Sequence, residues 1–273
     1  MRREAALGLL LCGLVCLGGC RTPGPQRPLV ESDPRPARLL AGLEASADRR
    51  GALRARARVA IQAPDLDIRR PQRLAVARPG RLRFEVLGLF GQLAALLVVD
   101  GGRYQLYEAG ADQLREGVVS SALLWQVARV DLEPGEAVDL LLGVPRPGPG
   151  LRVSRALLRA DGQIAFERVD ARGKPRERFV FDSEGRLASM ARLAADGRAM
   201  WRARFSRYRT ISGPDGSSRQ FAFEVALDFP RVEGGATLDY QQAELVAELP
   251  GSLFRLNLPG HGSPPAGEGA RDG

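Results

Sequence analysis

Histidine and cysteine are almost missing from this 273-residue chain. His261 is the single histidine, and Cys12, Cys16 and Cys20 are the only cysteines. His261 stands in a Gly/Pro-rich end, PGHGSPPAGEGARDG, so a Ser-His-Asp arrangement or a histidine-ligated metal would need a partner from a segment unable to bury a core. No GxSxG, GxGxxG or GxxxxGK[ST] pattern occurs. Lys174 is the only lysine, aromatics make up 6% of the chain, and the longest leading apolar run, Ala5–Leu17, is about thirteen residues. A helix of that length falls short of a ~30 Å hydrocarbon core at 1.5 Å per residue. The run therefore reads as an export signal rather than a membrane span.

The run begins behind a basic start at Arg2 and Arg3 and ends in a small pair and a cysteine, Leu17-Gly18-Gly19-Cys20. This ending resembles the lipobox of bacterial lipoproteins. The resemblance implies that residues 1–19 are removed and that Cys20 becomes the first mature residue, diacylated on sulfur and acylated on its amine. A plain signal peptide with a chance cysteine is the alternative. With Cys12 and Cys16 gone, no intramolecular disulfide is available, although an exported compartment would permit one. A packed core must supply stability, and 44% apolar residues can do so.

Residues 20–36 carry five prolines within RTPGPQRPLVESDPRP and are expected to be an extended tether. The folded body is expected over residues 37–258, as one large β-rich domain or two small ones, with residues 259–273 as a disordered tail. Ala37–Arg50 places Leu39, Leu40 and Leu43 on one helical face. The period then changes to two: Ala55, Ala57, Val59 and Ile61 alternate with Arg54, Arg56 and Arg58, and Leu82, Phe84 and Val86 with Arg81, Arg83 and Glu85. Asp100-Gly101, Asp161-Gly162, Asp196-Gly197 and Asp215-Gly216 mark tight turns. The pattern predicts a mainly β fold with an α lid: an antiparallel meander of about 10–11 strands curled into a barrel or a strongly bent sheet. Its helices are the N-terminal one and two inserted ones, Val118–Ala128 and Glu136–Leu142, the last ended by Gly143 and Pro145.

Chemistry-bearing side chains are sparse. The carboxylate pairs Asp65/Asp67, Glu133/Glu136 and Asp182/Glu184 read as a charged turn, a helix start and a hairpin. The formal charge of +8 is spread along the chain in arginines and reads as a solvated surface, with attraction to anionic lipid as the functional reading and nucleic acid disfavoured for an exported protein. The apolar turn Val86-Leu87-Gly88-Leu89-Phe90-Gly91-Gln92-Leu93 is unusual. Leu89 and Phe90, if exposed, fit insertion into a bilayer or partner groove; the alternative is that the loop folds back and buries Phe90.

The order of segments is itself informative: an amphipathic N-terminal helix, RARARVAIQ, RLRFEVLGLFGQLAALLVVDGGRYQLY, the LLLGVP stretch, and LPGSLFRLNLPG at the end. This order resembles the LolB branch of the bacterial LolA/LolB lipoprotein carriers. The resemblance implies an unclosed barrel under a helical lid and a lipoprotein on the periplasmic face of the outer membrane. It further implies uptake of lipoprotein acyl chains from a periplasmic LolA-like carrier and their delivery to the membrane. The family's protruding leucine loop falls on Phe90, beside Leu89. A monomer with no cofactor and no catalytic residue is expected.

Residues expected to line an acyl-chain cavity are Leu82, Phe84, Val86, Leu96, Val98, Tyr104, Leu106, Phe166, Phe179, Phe181, Trp201 and Phe205 from the sheet. Helical Leu124, Trp125, Leu141 and Leu142 are expected to close it. Two other readings compete. One is a structural or scaffolding envelope lipoprotein that docks a protein partner through a sheet edge or the Phe90 loop; the other is a hydrolase using carboxylates.

Overall fold

Two-residue periodicity dominates the chain, and the computed structural model, which describes residues 25–111, 114–120 and 122–256, turns it into strands. Chain order runs β1 (Gln26–Pro28), α1 (Arg35–Asp48), β2 (Ala52–Ala63), β3 (Leu66–Ala77), β4 (Arg81–Leu87), β5 (Leu93–Asp100), β6 (Arg103–Glu108) and β7 (Arg115–Val118). It continues with α2 (Leu123–Ala128), α3 (Pro134–Leu141), β8 (Arg152–Arg159), β9 (Ile164–Val169), β10 (Pro175–Phe181), β11 (Leu187–Leu193), β12 (Ala199–Ser212), β13 (Ser218–Phe229) and β14 (Gly234–Val246). A single 3₁₀ turn, Gly251–Phe254, comes last. Cys20, the expected export signal 1–19 and the expected tail 259–273 lie outside the described residues.

The strands of the described residues join one antiparallel sheet of 14, in the order β1-β8-β9-β10-β11-β12-β13-β14-β2-β3-β4-β5-β6-β7. Two meanders, β2–β7 and β8–β14, are welded where β14 pairs with β2 from Gly235 opposite Gln62 to Val246 opposite Ala52. The sheet does not close; β1 and β7 are its two edges among the described residues. Aspartate and glycine build the hairpin turns together. Asp182 Oδ1 accepts the N–H groups of Glu184 and Arg186 at 3.0 and 2.9 Å, while Gly185 takes the left-handed φ of +77°.

The count of 14 strands corrects the expected 10–11. Val118 closes strand β7 rather than opening a helix, and α2 begins only at Leu123, so the expected Val118–Ala128 helix is half as long. The β-branched pair Val118-Val119 favours the strand there. Within the Pro-rich segment, Gln26–Pro28 already pairs with Leu157–Arg159 of β8, as proline permits on an edge strand, and α1 starts at Arg35.

Each face of the sheet carries a core. The inner face gathers Leu53, Val59, Leu74, Val76, Leu82 and Leu97 with the helical residues Leu40, Leu43, Leu124, Val138 and Leu141. The outer face has a smaller cluster in which Ala52, Ala75, Ala77, Leu96 and Val98 lie beneath Leu249 and Phe254 of the C-terminal segment. LPGSLF is therefore a plaster over bare sheet, with Phe254 only 1% exposed.

An apolar hollow under two helices as the candidate functional site

The two halves of the inner face differ in how they are filled. In the β9–β12 half, Phe166, Phe179 and Phe181 stack on one another at 5.5 to 6.2 Å, and Trp201, Ala203 and Phe205 are buried beside them. In the β2–β6 half, smaller aliphatic side chains leave a hollow of about 390 Å³, within the range of small-ligand sites. Val59, Ile61, Leu66, Ile68, Phe84, Val86, Ala95, Leu97 and Leu106 form its sheet wall, joined by Val225, Leu227, Ala236 and Leu238 from β13 and β14. Leu124, Val127, Ala128, Val130 and Leu132 of the α2 region and Ala137, Leu140 and Leu141 of α3 form its roof.

Of the residues expected to line a cavity, Phe84, Val86, Leu106, Leu124 and Leu141 do line this hollow. Leu82, Tyr104 and Leu142 pack in the same inner-face core without facing it, and Phe166, Phe179, Phe181, Trp201 and Phe205 plug the other half of the sheet. Leu96 and Val98 correct the expectation: they point to the outer face and pack under Leu249 and Phe254. The run Leu93–Val99 is apolar on both faces, so alternation gave no sign of which residues turn inward. Trp125 is half-buried, with the Arg129 guanidinium 5.5 Å from its ring centroid, and does not line the hollow. Sequence reasoning missed the β3 wall, Leu66, Ile68 and Gln72, because Arg69, Arg70 and Pro71 mask the alternation there. Continuing the β2 alternation across the hairpin would have found Val59 opposite Arg70 and Ile61 opposite Ile68.

The two roof helices are held very differently. At α3, Tyr240 donates its hydroxyl to the Leu141 carbonyl at 2.9 Å, Arg50 Nη1 donates to the Leu142 carbonyl at 2.9 Å, and Arg78 Nη2 donates to the Val144 carbonyl at 3.2 Å. These capture carbonyls that a helix end leaves orphaned. Arg78 also pairs with Asp139, and at the other end Glu133 and Glu136 form a reciprocal cap while Trp201 donates to Glu136 at 3.2 Å. Burial pulls the Arg50 guanidinium down to about 10, pushes the Asp139 carboxyl up despite Arg78, and raises the Tyr240 phenol. By contrast, α2 has six residues, no side-chain cap, and one ionic tether, Arg129 to Asp65 in the β2–β3 turn.

Beside the hollow stands the β4–β5 hairpin. Val86 pairs with Ala95, both in the wall, and the turn between the strands lifts Leu89 and Phe90 into solvent at 83% and 94% exposure. The fold-back alternative for Phe90 does not occur. Nor is the turn slack: Gly88 N–H donates to the Gln92 carbonyl at 2.8 Å, Phe90 N–H to Gln92 Oε1 at 3.0 Å, and Gly91 adopts φ +79°.

All but Asp67 of the carboxylates in these pairs have structural partners. Asp65 meets Arg129, Glu133 and Glu136 cap α3, and Asp182 and Glu184 bind Arg186. Among the described residues no group of three or more His, Cys, Asp or Glu side chains is placed to hold a metal ion. Two other depressions, of about 480 and 790 Å³, lie on the outer face and are edged by charged residues such as Arg54, Arg56, Arg73, Arg58 and Asp239.

No protein-family model and no curated protein matches the sequence. Solved structures do match the fold. A DUF1329 family protein from Desulfovibrio piger superposes with a TM-score of 0.53 at 16% identity, over 82% of this chain and 98% of its own. A LolA superfamily protein from Nitrosomonas europaea gives 0.50 at 13% identity, over 80% and 97%. An outer membrane lipoprotein-sorting protein domain from Vibrio parahaemolyticus gives 0.50 at 12% identity, over 80% and 97%. The chain thus has the LolA-like fold, one large antiparallel sheet bent into an unclosed barrel with short helices on its inner face.

Proposed function

We propose that this protein is an envelope carrier that holds acyl chains of lipoproteins or related lipids in the hollow and releases them into the outer membrane, as the LolB branch does. The observation that carries the reading is the adjacency of two apolar features that a soluble domain otherwise avoids. An unfilled aliphatic hollow sits under two helices, and an exposed Leu89-Phe90 pair stands on a braced turn one strand-pair away. Each methylene of a chain costs about 0.8 kcal/mol to leave in water. A hollow of aliphatic side chains offsets that cost during transit, and a bilayer offsets it more completely, so transfer runs downhill without covalent chemistry.

Three further features support the reading. The neighbouring solved structures include a lipoprotein-sorting domain. The lipobox-like Leu17–Cys20 sequence would anchor the mature chain at the periplasmic face of the outer membrane through an acylated Cys20. The roof has a weakly held half, α2, through which a chain can enter from a LolA-like donor. The monomeric protein needs no cofactor for this.

The test is transfer of a fluorescent acylated lipopeptide from the loaded protein to liposomes. Wild type is expected to deliver cargo, and Phe90→Glu to fold and load normally but deliver at least tenfold more slowly. Delivery by Phe90→Glu at the wild-type rate removes the loop from the mechanism.

A further inference from the structure

One polar side chain in the wall of the hollow has an unpaired carbonyl oxygen. Gln72, on β3 between Ala57 of β2 and Val86 of β4, is 5% exposed, and its Oε1 has no hydrogen-bond partner. Along the same face it stands between the exposed Arg70 and the buried Leu74, and its cross-strand partners Ala57 and Val86 are aliphatic. A buried carbonyl left unpaired is destabilising, and native interiors rarely keep one without a purpose. Among the described residues the only other polar side chain on the hollow, Glu108, is exposed and engaged by Arg115 at 2.5 Å. An alkyl chain passing through the hollow therefore meets a single amide among aliphatic groups.

We infer that the hollow selects acyl chains that carry a hydroxyl group, which pairs with the Gln72 amide. The inference rests on the carrier reading and narrows its ligand class. A hydroxyl is the matching group because it both donates and accepts, so it satisfies the amide through Oε1 and through the amide N–H alike. It is also small enough to ride on a chain within an aliphatic wall. An unsubstituted chain loads too, but leaves Oε1 unpaired. Selection is then a modest preference, set by one hydrogen bond gained rather than by exclusion of the plain chain.

The test is displacement of a fluorescent fatty acid from the mature protein by myristate, by 3-hydroxymyristate and by myristate hydroxylated at mid-chain, with N-myristoylglycine as an amide-bearing control. Wild type is expected to bind one hydroxylated chain about fivefold or more tighter than myristate. Gln72→Met, which keeps length and removes both polar atoms, is expected to erase that preference and to melt no lower. Equal affinity for all chains in wild type, or a preference that survives Gln72→Met, overturns the inference and leaves the carrier reading standing. A preference for N-myristoylglycine alone also overturns it, by assigning the amide to a headgroup. If no chain displaces the probe, the carrier reading falls, and this inference with it.

Discussion

Arg129 and Asp65 close the hollow's roof onto its wall. Arg129 ends α2 in the left-handed region at φ +54°, and its guanidinium forks onto the Asp65 carboxylate at 2.9 and 3.1 Å across the β2–β3 turn. Both groups are solvent-exposed, at 36% and 58%, where such a pair contributes little and salt screens it. Buried hydrogen bonds fix α3, so the roof is a clamped helix beside a latched one.

That asymmetry has a pH signature. The Arg129 hydrogen bonds hold the Asp65 carboxyl below its ordinary value of 3.8, so the unlatched state takes up the proton first as pH falls. The latch contribution is complete above about pH 4 and is lost as pH drops below it. The hydrogen-exchange protection factor of α2 is expected to fall under acid, and to fall in Asp65→Asn at neutral pH, where α3 protection is unchanged. Equal loss of protection in both helices of Asp65→Asn contradicts the asymmetry.

Empty space tolerates added bulk where filled space does not. Ala95→Phe projects into the hollow and is expected to keep the thermal midpoint near wild type while abolishing fatty-acid binding. Ala203→Phe, at a fully buried position in the aromatic-filled half, is expected to lose about 1–3 kcal/mol. Chemical denaturation of both variants checks the contrast.

Tyr240→Phe removes the donor to the Leu141 carbonyl and leaves that carbonyl buried. The expected loss is about 1–3 kcal/mol, with faster exchange in the last turn of α3. A neutral effect would mean the clamp is redundant with Arg50.

Phe254→Ala strips the outer-face cover from Leu96 and Val98. The expected cost is about 3–5 kcal/mol of stability with unchanged fatty-acid affinity, because that cluster and the hollow lie on opposite faces of one sheet. Lost affinity in a still-folded variant would place the C-terminal segment in the site.

Much of this architecture is legible in the sequence, because its signals are local. Alternating Arg and aliphatic residues in β2 and β4, and Asp-Gly turns, announce a meander before any tertiary contact is considered. The apolar turn itself is legible, because glycines flank Leu89 and Phe90, but its exposure rather than its folding back is shown only by the structure. What local pattern does not contain is which half of the inner face stays open. Phe166, Phe179 and Trp201 look as cavity-like as Phe84, yet only three-dimensional packing shows that they consume their own space. The facing of Leu96 and Val98, the β14–β2 weld and the bare Oε1 of Gln72 are likewise long-range facts.

Native mass spectrometry of the mature Cys20→Ala protein, purified from an envelope-containing host and then offered fatty acid, tests the central claim most directly. The account predicts one bound acyl chain per monomer, lost on Ala95→Phe. A protein that carries none, takes up none and melts identically with and without fatty acid would contradict it.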